Sequence, residues 1–247
     1  MVIILIIKGN YDCIDLEWDT RYFGIKSARV NLNGVIDENQ QEEILKFCQD
    51  FEFVTIVNYN NLKENNYWIG KKTNAFLTDV NVQFEKELKV NKKKLENKGF
   101  QVKNNLPRNQ QIIDIARKSF NYSRFFNDPN LSFDKAKNIY VHWTDSAFKK
   151  EDKFFVISRI DNKVAGYILF STHKMTSTIE LIAVEKKYQG KNIGRLLIRE
   201  LEEYLIDKGI LNIKVGTQLN NISAVNFYET MGFKVVSCRN IYHLWDM

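Results

Sequence analysis

The stretch with the clearest chemical potential is Gln189–Arg195, QGKNIGR, set between the apolar run Leu181–Val184 and an amphipathic segment. Gly190, Asn192 and Gly194 bracket a helix start, where the first N–H groups lack an intrahelical acceptor and the helix dipole favours negative charge. Such a turn suits a phosphate or pyrophosphate, with Lys191 and Arg195 beside it. The spacing excludes two common alternatives. A dinucleotide fingerprint places GxGxxG directly after its strand, whereas five residues separate Val184 from Gly190. A Walker loop fails as well, because no Gly-Lys-Ser ending is present.

Other reactive side chains are scattered. Glu180 precedes Ile182 and Val184 by one and two pleat periods, so simple alternation puts it on their face, where a carboxylate takes a proton through water. An ordinary charged residue at a strand start is the plain alternative. Tyr228 sits on a short segment with Phe227 and Phe233 close by, which by itself reads as an aromatic cluster. His142 lies on an apolar helix, His173 in a loop, and His243 has no neighbour that argues for chemistry. The Asp, His and Ser residues form no nucleophile relay. The Arg124 guanidinium matches phosphate oxygens bidentately, or else forms an ion pair between packed elements. Trp18, Tyr22 and Phe23 suit either stacking on a planar ligand or an interface core.

The elements that position these groups follow from periodicity. In the first half, VIILII reads as a strand, the end of DLEWDTRYFGIKSARV as another, and DENQQEEILKFCQD as a helix capped by Asp37 with Ile44, Leu45 and Cys48 inward. FEFVTIVNY and LTDVNVQFEKEL are strands, and LKENNYWIGKKTNAF between them is ambiguous. The polar run 89–110, with Pro107 near its end, marks the division into residues 1–108 and 109–247. The second half runs through two helices within 109–150, strands FFVISRI, VAGYILFS and TSTIELIAV, and a long amphipathic helix that Gly209 terminates. A buried strand ILNIKVGT, a short helix ended by Gly232 and a final strand pair in FKVVSCRNIYHLW complete it. The expected class is α/β, a mixed central sheet flanked by helices. The first half echoes the order of the last sixty residues and reads as a smaller, degenerate half of the same architecture.

Composition narrows the class. Apolar residues are 44% and Pro only 2 of 247, which describes an ordered chain. The opening MVIILII is too short for a membrane span and lacks the basic start and cleavage region of a signal peptide. Cys13, Cys48 and Cys238 form no CxxC pair, so neither a disulfide framework nor a metal site is expected, and a reducing, cytoplasmic setting is. The net charge of +6 is uneven: 16 Lys and Arg face 15 Asp and Glu in residues 1–108, against 20 and 15 in 109–247. That excess suits small polyanions, although a solvated basic face has the same composition.

At this point a resemblance enters. LIAVEKKYQGKNIGRLLIRELEEYL, followed by NNISAVNFYETMGF, resembles the two core motifs of the GCN5-related N-acetyltransferase superfamily. Asn221, Ala224, Tyr228, Gly232 and Phe233 fall into the pattern N-x-x-A-x-x-x-Y-x-x-x-G-F. The resemblance covers residues 109–247 and implies acetyl-CoA as cofactor, with no metal. It implies that Leu181, Ile182, Ala183 and Val184 offer main-chain groups to the pantetheine arm. Gln189, Gly190, Lys191, Asn192, Ile193, Gly194 and Arg195 then surround the pyrophosphate, with Asn221 and Tyr228 beside the cofactor. Tyr228 becomes the general acid, a role that a phenol of pKa about 10 suits at neutral pH. Asn192 stands where the pattern usually has its first glycine; Asn tolerates positive φ next best, so the turn is expected to persist.

A second resemblance, to the dTDP-fucosamine acetyltransferase family, rests on Trp18, Asp19, Phe23 and Gly24 with Ser123, Arg124, Phe125, Asp128, Tyr140 and Trp143. It implies transfer to the 4-amino group of a nucleotide-linked 4-amino-4,6-dideoxyhexose, in cell-surface polysaccharide biosynthesis. Trp18, Tyr22, Phe23, Arg124, Tyr140 and Trp143 are the implied acceptor residues, in a cleft between the halves, and a homodimer is the implied assembly. Two alternatives stand beside this reading: the same chemistry on a peptide, lysine, polyamine or aminoglycoside amine, and a non-catalytic acyl-CoA-binding or nucleic-acid-binding protein. The last has no signal beyond charge, so neither nucleic acid nor membrane is an expected partner.

Overall fold

The computed structural model describes residues 3–89 and 100–245. Its first half contains β1 (Ile3–Lys8), β2 (Tyr11–Asp15), α1 (Glu17–Phe23), β3 (Ser27–Leu32), α2 (Glu38–Cys48), β4 (Phe53–Tyr59), α3 (Lys63–Lys72) and β5 (Phe76–Glu87). After residues 90–99, part of the polar junction that lies outside the described residues, come β6 (Phe100–Asn104), α4 (Gln110–Ser119), α5 (Phe133–Ala147), β7 (Lys153–Ile160), β8 (Lys163–His173) and β9 (Thr176–Val184). A 3-10 turn at Lys186–Tyr188 leads into α6 (Ile193–Asp207), β10 (Asn212–Gln218), α7 (Ile222–Thr230) and β11 (Lys234–Trp245).

Among the described residues the strands join one mixed eleven-stranded sheet in the order β1-β2-β3-β4-β11-β5-β10-β9-β8-β7-β6. Its layout is nearly symmetric about the β11–β5 pair. On one side β3 and β4 are parallel with α2 between them; on the other β9 and β10 are parallel with α6 between them. The last strand of each half crosses the midline. β5 pairs antiparallel with β10 of the second half, at Gly216↔Gln83, while β11 pairs antiparallel with β4 of the first, at Asn240↔Asn58. Each half therefore completes the other's sheet. Strand pairing does not break at residue 108 either, because β6 precedes that position and lies at the edge against β7.

Three local readings change. FKVVSCRNIYHLW is one twelve-residue strand, not a pair; register shifts at Val235/Ser237 and Ile241/Tyr242 let it bend while bridging β4 and β5. The ambiguous segment is the helix α3, which buries Trp68 and Ile69. β2 and β6 are two further five-residue strands, YDCID and FQVKN.

The core is layered. Leu197, Leu201 and Leu205 recur along α6 and are fully buried against Phe84, Phe170 and Ile213 of the sheet, each contributing about 1.5–3 kcal/mol. On the opposite face α4 and α5 cover Phe155, Tyr167 and Leu169 with Ile112, Ile113 and Ala147. In the first half Ile44 and Cys48 of α2 meet Val30 and Ile56. α2 opens with a reciprocal cap, in which Asp37 Oδ1 accepts from Gln40 N and Gln40 Oε1 from Asp37 N. α6 has no such cap, and that difference bears on function.

Candidate active site

β9 and β10 are paired only from Asn212↔Thr176 to Val215↔Ile179. Beyond that point Gly216–Gln218 stay with β5, and Leu181–Val184 stay with β8. The two parallel strands therefore part, and the facing main-chain groups of their inner edges lose their ladder partners. A β-bulge lies at the point of parting. Leu169 is opposite Leu181 and Phe170 opposite Ile179, so Glu180 is an extra residue in β9.

That bulge corrects the placement of Glu180. An inserted residue resets the two-residue alternation. Ile179 packs in the α6 core, Leu181 and Ala183 pack under α4 and α5, and Ile182 and Val184 return to the α6 side. Glu180 consequently does not share a face with Ile182 and Val184. Its carboxylate meets α5, accepting from Trp143 Nε1 at 3.3 Å and from the ammonium of Lys153, with which it forms an ion pair.

A cleft of about 560 Å³ opens along the parted strands. One wall is the turn into α6. Gln189 Nε2 donates to Val184 O at 3.2 Å and ties the turn to the strand end. Gly190 has φ 75° and Asn192, the N-cap, φ 63°, both in the left-handed region. Asn192 thus holds the conformation expected where a glycine is usual. Its side chain caps nothing, and the first turn carries no acidic residue. The first helical bond of this end runs from Leu196 N to Asn192 O at 3.0 Å, so the N–H groups of Ile193, Gly194 and Arg195 have no acceptor within the helix. A Cβ at Gly194 would come within 3.4 Å of the Phe227 ring, so a small residue lets α6 and α7 approach.

Ile182, Ala183, Val184, Gln189, Gly190, Asn192, Ile193, Gly194, Arg195, Asn221 and Tyr228 all line this cleft. Lys191 does not: its ammonium sits over the Tyr188 ring, 5.6 Å from its centroid. Leu181, expected to offer main-chain groups, buries its side chain under α4 and α5. Asn221 also caps α7, its Oδ1 accepting from Ala224 N at 3.2 Å. Tyr228 combines its two readings: its ring centroid lies 5.6, 5.5 and 5.7 Å from those of Phe84, Phe227 and Phe233, and it also faces the cleft. Burial raises the phenol above its ordinary pKa, which keeps the proton in place at neutral pH.

A second cavity, of about 300 Å³, lies between α1 of the first half and α5 of the second. Trp18, Arg124, Tyr140 and Trp143 line it. Trp18 and Trp143 are 45% and 43% exposed, so each leaves much of its ring available. Tyr22 instead backs Trp18, stacked at 5.0 Å and 7°, with its hydroxyl donating to Lys135 O at 2.6 Å. Phe23 is core: it is buried on Phe125, with centroids 5.3 Å apart, because the end of α1 closes the seam between the halves. Arg29, on β3, lines the cavity and escaped the sequence reading, although an arginine between Ala28 and Val30 of an apolar strand was a usable signal. Trp143, in the wall of this cavity, donates to Glu180 at the bulge of β9.

The histidines play other parts. His142 packs edge-on against Tyr22, centroids 4.9 Å apart. His243 is fully buried, its Nδ1 2.5 Å from Asp128 Oδ2, to which Trp245 Nε1 also donates at 2.9 Å.

Comparison with known proteins follows the same outline. Residues 110–233 match the model of the Acetyltransferase (GNAT) family. The chain is similar to the spore coat polysaccharide biosynthesis protein SpsD of Bacillus subtilis (strain 168), at 32% identity over 136 residues, 55% of this chain and 47% of that protein. An uncharacterized N-acetyltransferase of Methanocaldococcus jannaschii is 35% identical over 81 residues, 32% of this chain and 52% of that one. The matches span about half the length of these curated relatives. The crystal structure of a GCN5-related N-acetyltransferase from Sphaerobacter thermophilus is similar in fold, with TM-score 0.67 and 11% identity, covering 96% of this chain and 77% of that chain.

Proposed function

Because the chain belongs to the Acetyltransferase (GNAT) family, we propose that it is an N-acetyltransferase that uses acetyl-CoA and acts on a nucleotide-linked 4-amino-4,6-dideoxyhexose. The observation that carries the transferase reading is the parting of β9 and β10 beside an uncapped helix start and a buried tyrosine. The residues fit the cofactor. Unmet N–H groups at the start of α6, with Gly190 and Asn192 in the left-handed region and no carboxylate in the first turn, suit a pyrophosphate. The unpaired inner edge of Leu181–Val184 suits an amide-bearing arm laid along it as an added strand.

Acetyl-CoA, when bound, supplies an activated thioester acetyl group. The protein's part is placement and proton control. Main-chain N–H groups at the strand end, beyond the bulge at Glu180, would stabilise the negative charge that develops on the acyl oxygen. Tyr228 holds a proton at the cleft wall and would supply it to the departing sulfur. Glu180 acts as a positioning residue, holding Trp143 in the wall of the second cavity.

The second cavity is the proposed acceptor site, with Trp18 and Trp143 as stacking faces for a base or a sugar and each half supplying one of them. The relationship to a polysaccharide biosynthesis protein supports an amino sugar over a peptide amine. In this reading residues 1–108 serve as the acceptor-side unit and 109–247 as the acetyl-transfer unit. Incubation with acetyl-CoA and a set of dTDP- and UDP-linked amino sugars, with the product analysed by mass spectrometry and NMR, tests it. The expected product is the sugar nucleotide acetylated on nitrogen; acetylation of peptides or polyamines alone contradicts it.

A further inference from the structure

Two cations, Arg29 and Arg124, line the second cavity, where Asp19 is the carboxylate beside them. Arg29 comes from β3 of the first half and Arg124 from the segment between α4 and α5 of the second, and both line the same wall space. The Nε atoms of both are buried without a hydrogen-bond partner among the described residues. A buried donor on a charged group costs more than a neutral one to leave unmet, so two in one cavity require an explanation. The like charges also oppose each other. Burial first, and Arg29 second, push Arg124 down to about 10, and the carboxylates of Asp19 and Asp79 offset this only in part. Lys150 adds a third cation to the lining, against Asp19 as the carboxylate that shares it.

The surroundings fix what this excess positive charge faces. Trp18 and Tyr140 with Trp143 form apolar walls, the latter two with rings parallel to 5°. A cavity with planar aromatic walls and guanidinium groups at its base fits a ligand whose flat or sugar portion is joined to an acidic group.

We infer that Arg29 and Arg124 form a phosphate-oxyanion subsite that is assembled only when the two halves close one sheet, and that it holds the phosphoryl portion of the acceptor. The inference deepens the proposed function and rests on its assignment of the second cavity to the acceptor. It makes the first half a direct contributor to substrate selection: Arg29 supplies one of the two charges, and without it the second half has a single guanidinium facing the ligand.

The test is calorimetric binding of dTDP and of inorganic pyrophosphate to the full chain and to Arg29→Gln, Arg124→Gln and Lys150→Gln. A hydrogen bond to a charged group is worth about 1.5–3 kcal/mol, so each arginine variant is expected to weaken dTDP about ten- to a hundredfold. Acetyl-CoA binding, which uses the other cleft, stays unchanged and reports that each variant is folded. If Arg124→Gln does not fold, Arg29→Gln and Lys150→Gln carry the test. Equal dTDP affinity in wild type and the folded variants overturns the inference, as does displacement of dTDP by L-aspartate at comparable concentration, which assigns the site to carboxylates. Arginine-dependent dTDP binding without transfer to any sugar nucleotide leaves the subsite standing and removes the proposed acceptor. Transfer to a sugar nucleotide with KM unchanged in both arginine variants removes the subsite and leaves the function.

Discussion

Asp128 and His243, 115 residues apart in sequence, form a fully buried contact at the seam between the halves, with His243 Nδ1 2.5 Å from Asp128 Oδ2. Burial, with Arg124 close by, brings the imidazole down to about 4, from an ordinary value of about 6.5. Between these values the unfolded chain binds a proton that the folded chain does not. Stability is therefore complete above about pH 6.5 and falls as pH drops toward 4, by at most about 3 kcal/mol from this group. Burial also pushes the Asp128 carboxyl up, but the bonds from His243, Asn130 N–H and Trp245 outweigh it and leave it below its usual range. Urea denaturation at pH 7.0, 5.5 and 4.5 checks the prediction, with Asp128→Asn expected to lose about 2 kcal/mol at neutral pH.

Tyr228→Phe preserves the contacts with Phe84, Phe227 and Phe233 and removes only the hydroxyl. The expected outcome is a fall in kcat of about a hundredfold or more, with unchanged acetyl-CoA affinity and melting temperature. A loss of cofactor binding in proportion to activity would assign the hydroxyl to binding instead.

Asn192 holds φ 63° at the start of α6. Asn192→Gly should retain the turn and bind acetyl-CoA as well as the parent chain. Asn192→Val, β-branched at positive φ, should cost about 1–2 kcal/mol in stability and weaken acetyl-CoA measurably. Isothermal titration of the two variants side by side separates the backbone requirement from any role of the amide group.

Glu180 and Lys153 form an ion pair whose side chains are 9% and 17% exposed, shielded enough for either to suffer when alone. Glu180→Gln is expected to cost about 2 kcal/mol and to lower kcat less than tenfold, with the pH–rate profile keeping its shape. Disappearance of the acidic limb of that profile would restore Glu180 as the base.

The parts of this arrangement that were legible in sequence are those written in local spacing. The turn at 189–195, the α6 stripe, the capping of α2 by Asp37 and the tyrosine on α7 each depend on residues within a few positions of one another. The orientation of Glu180 was not legible, because a bulge is a mismatch in count between β8 and β9 that the residue pattern of β9 by itself does not reveal. The exchange of β5 and β11 was equally hidden: β5 read correctly as a strand and β11 as two, but pairing across more than a hundred residues is set by packing that no local pattern records. Arg29 was missed for the same reason, since its cavity is built from α1, β3 and α5 together. Phe23 carried the opposite error; an aromatic in a motif-like segment was given to the ligand when it closes the seam.

The most direct test of the central claim is thiol release from acetyl-CoA in the presence of purified protein and dTDP- or UDP-linked 4-amino-4,6-dideoxyhexoses. A matched sugar nucleotide bearing a hydroxyl in place of the amine is the control. The account predicts release that depends on the amino sugar nucleotide, is absent with the hydroxyl analogue, and collapses in Tyr228→Phe. Release that is indifferent to the amine, or that survives the loss of the Tyr228 hydroxyl, contradicts it.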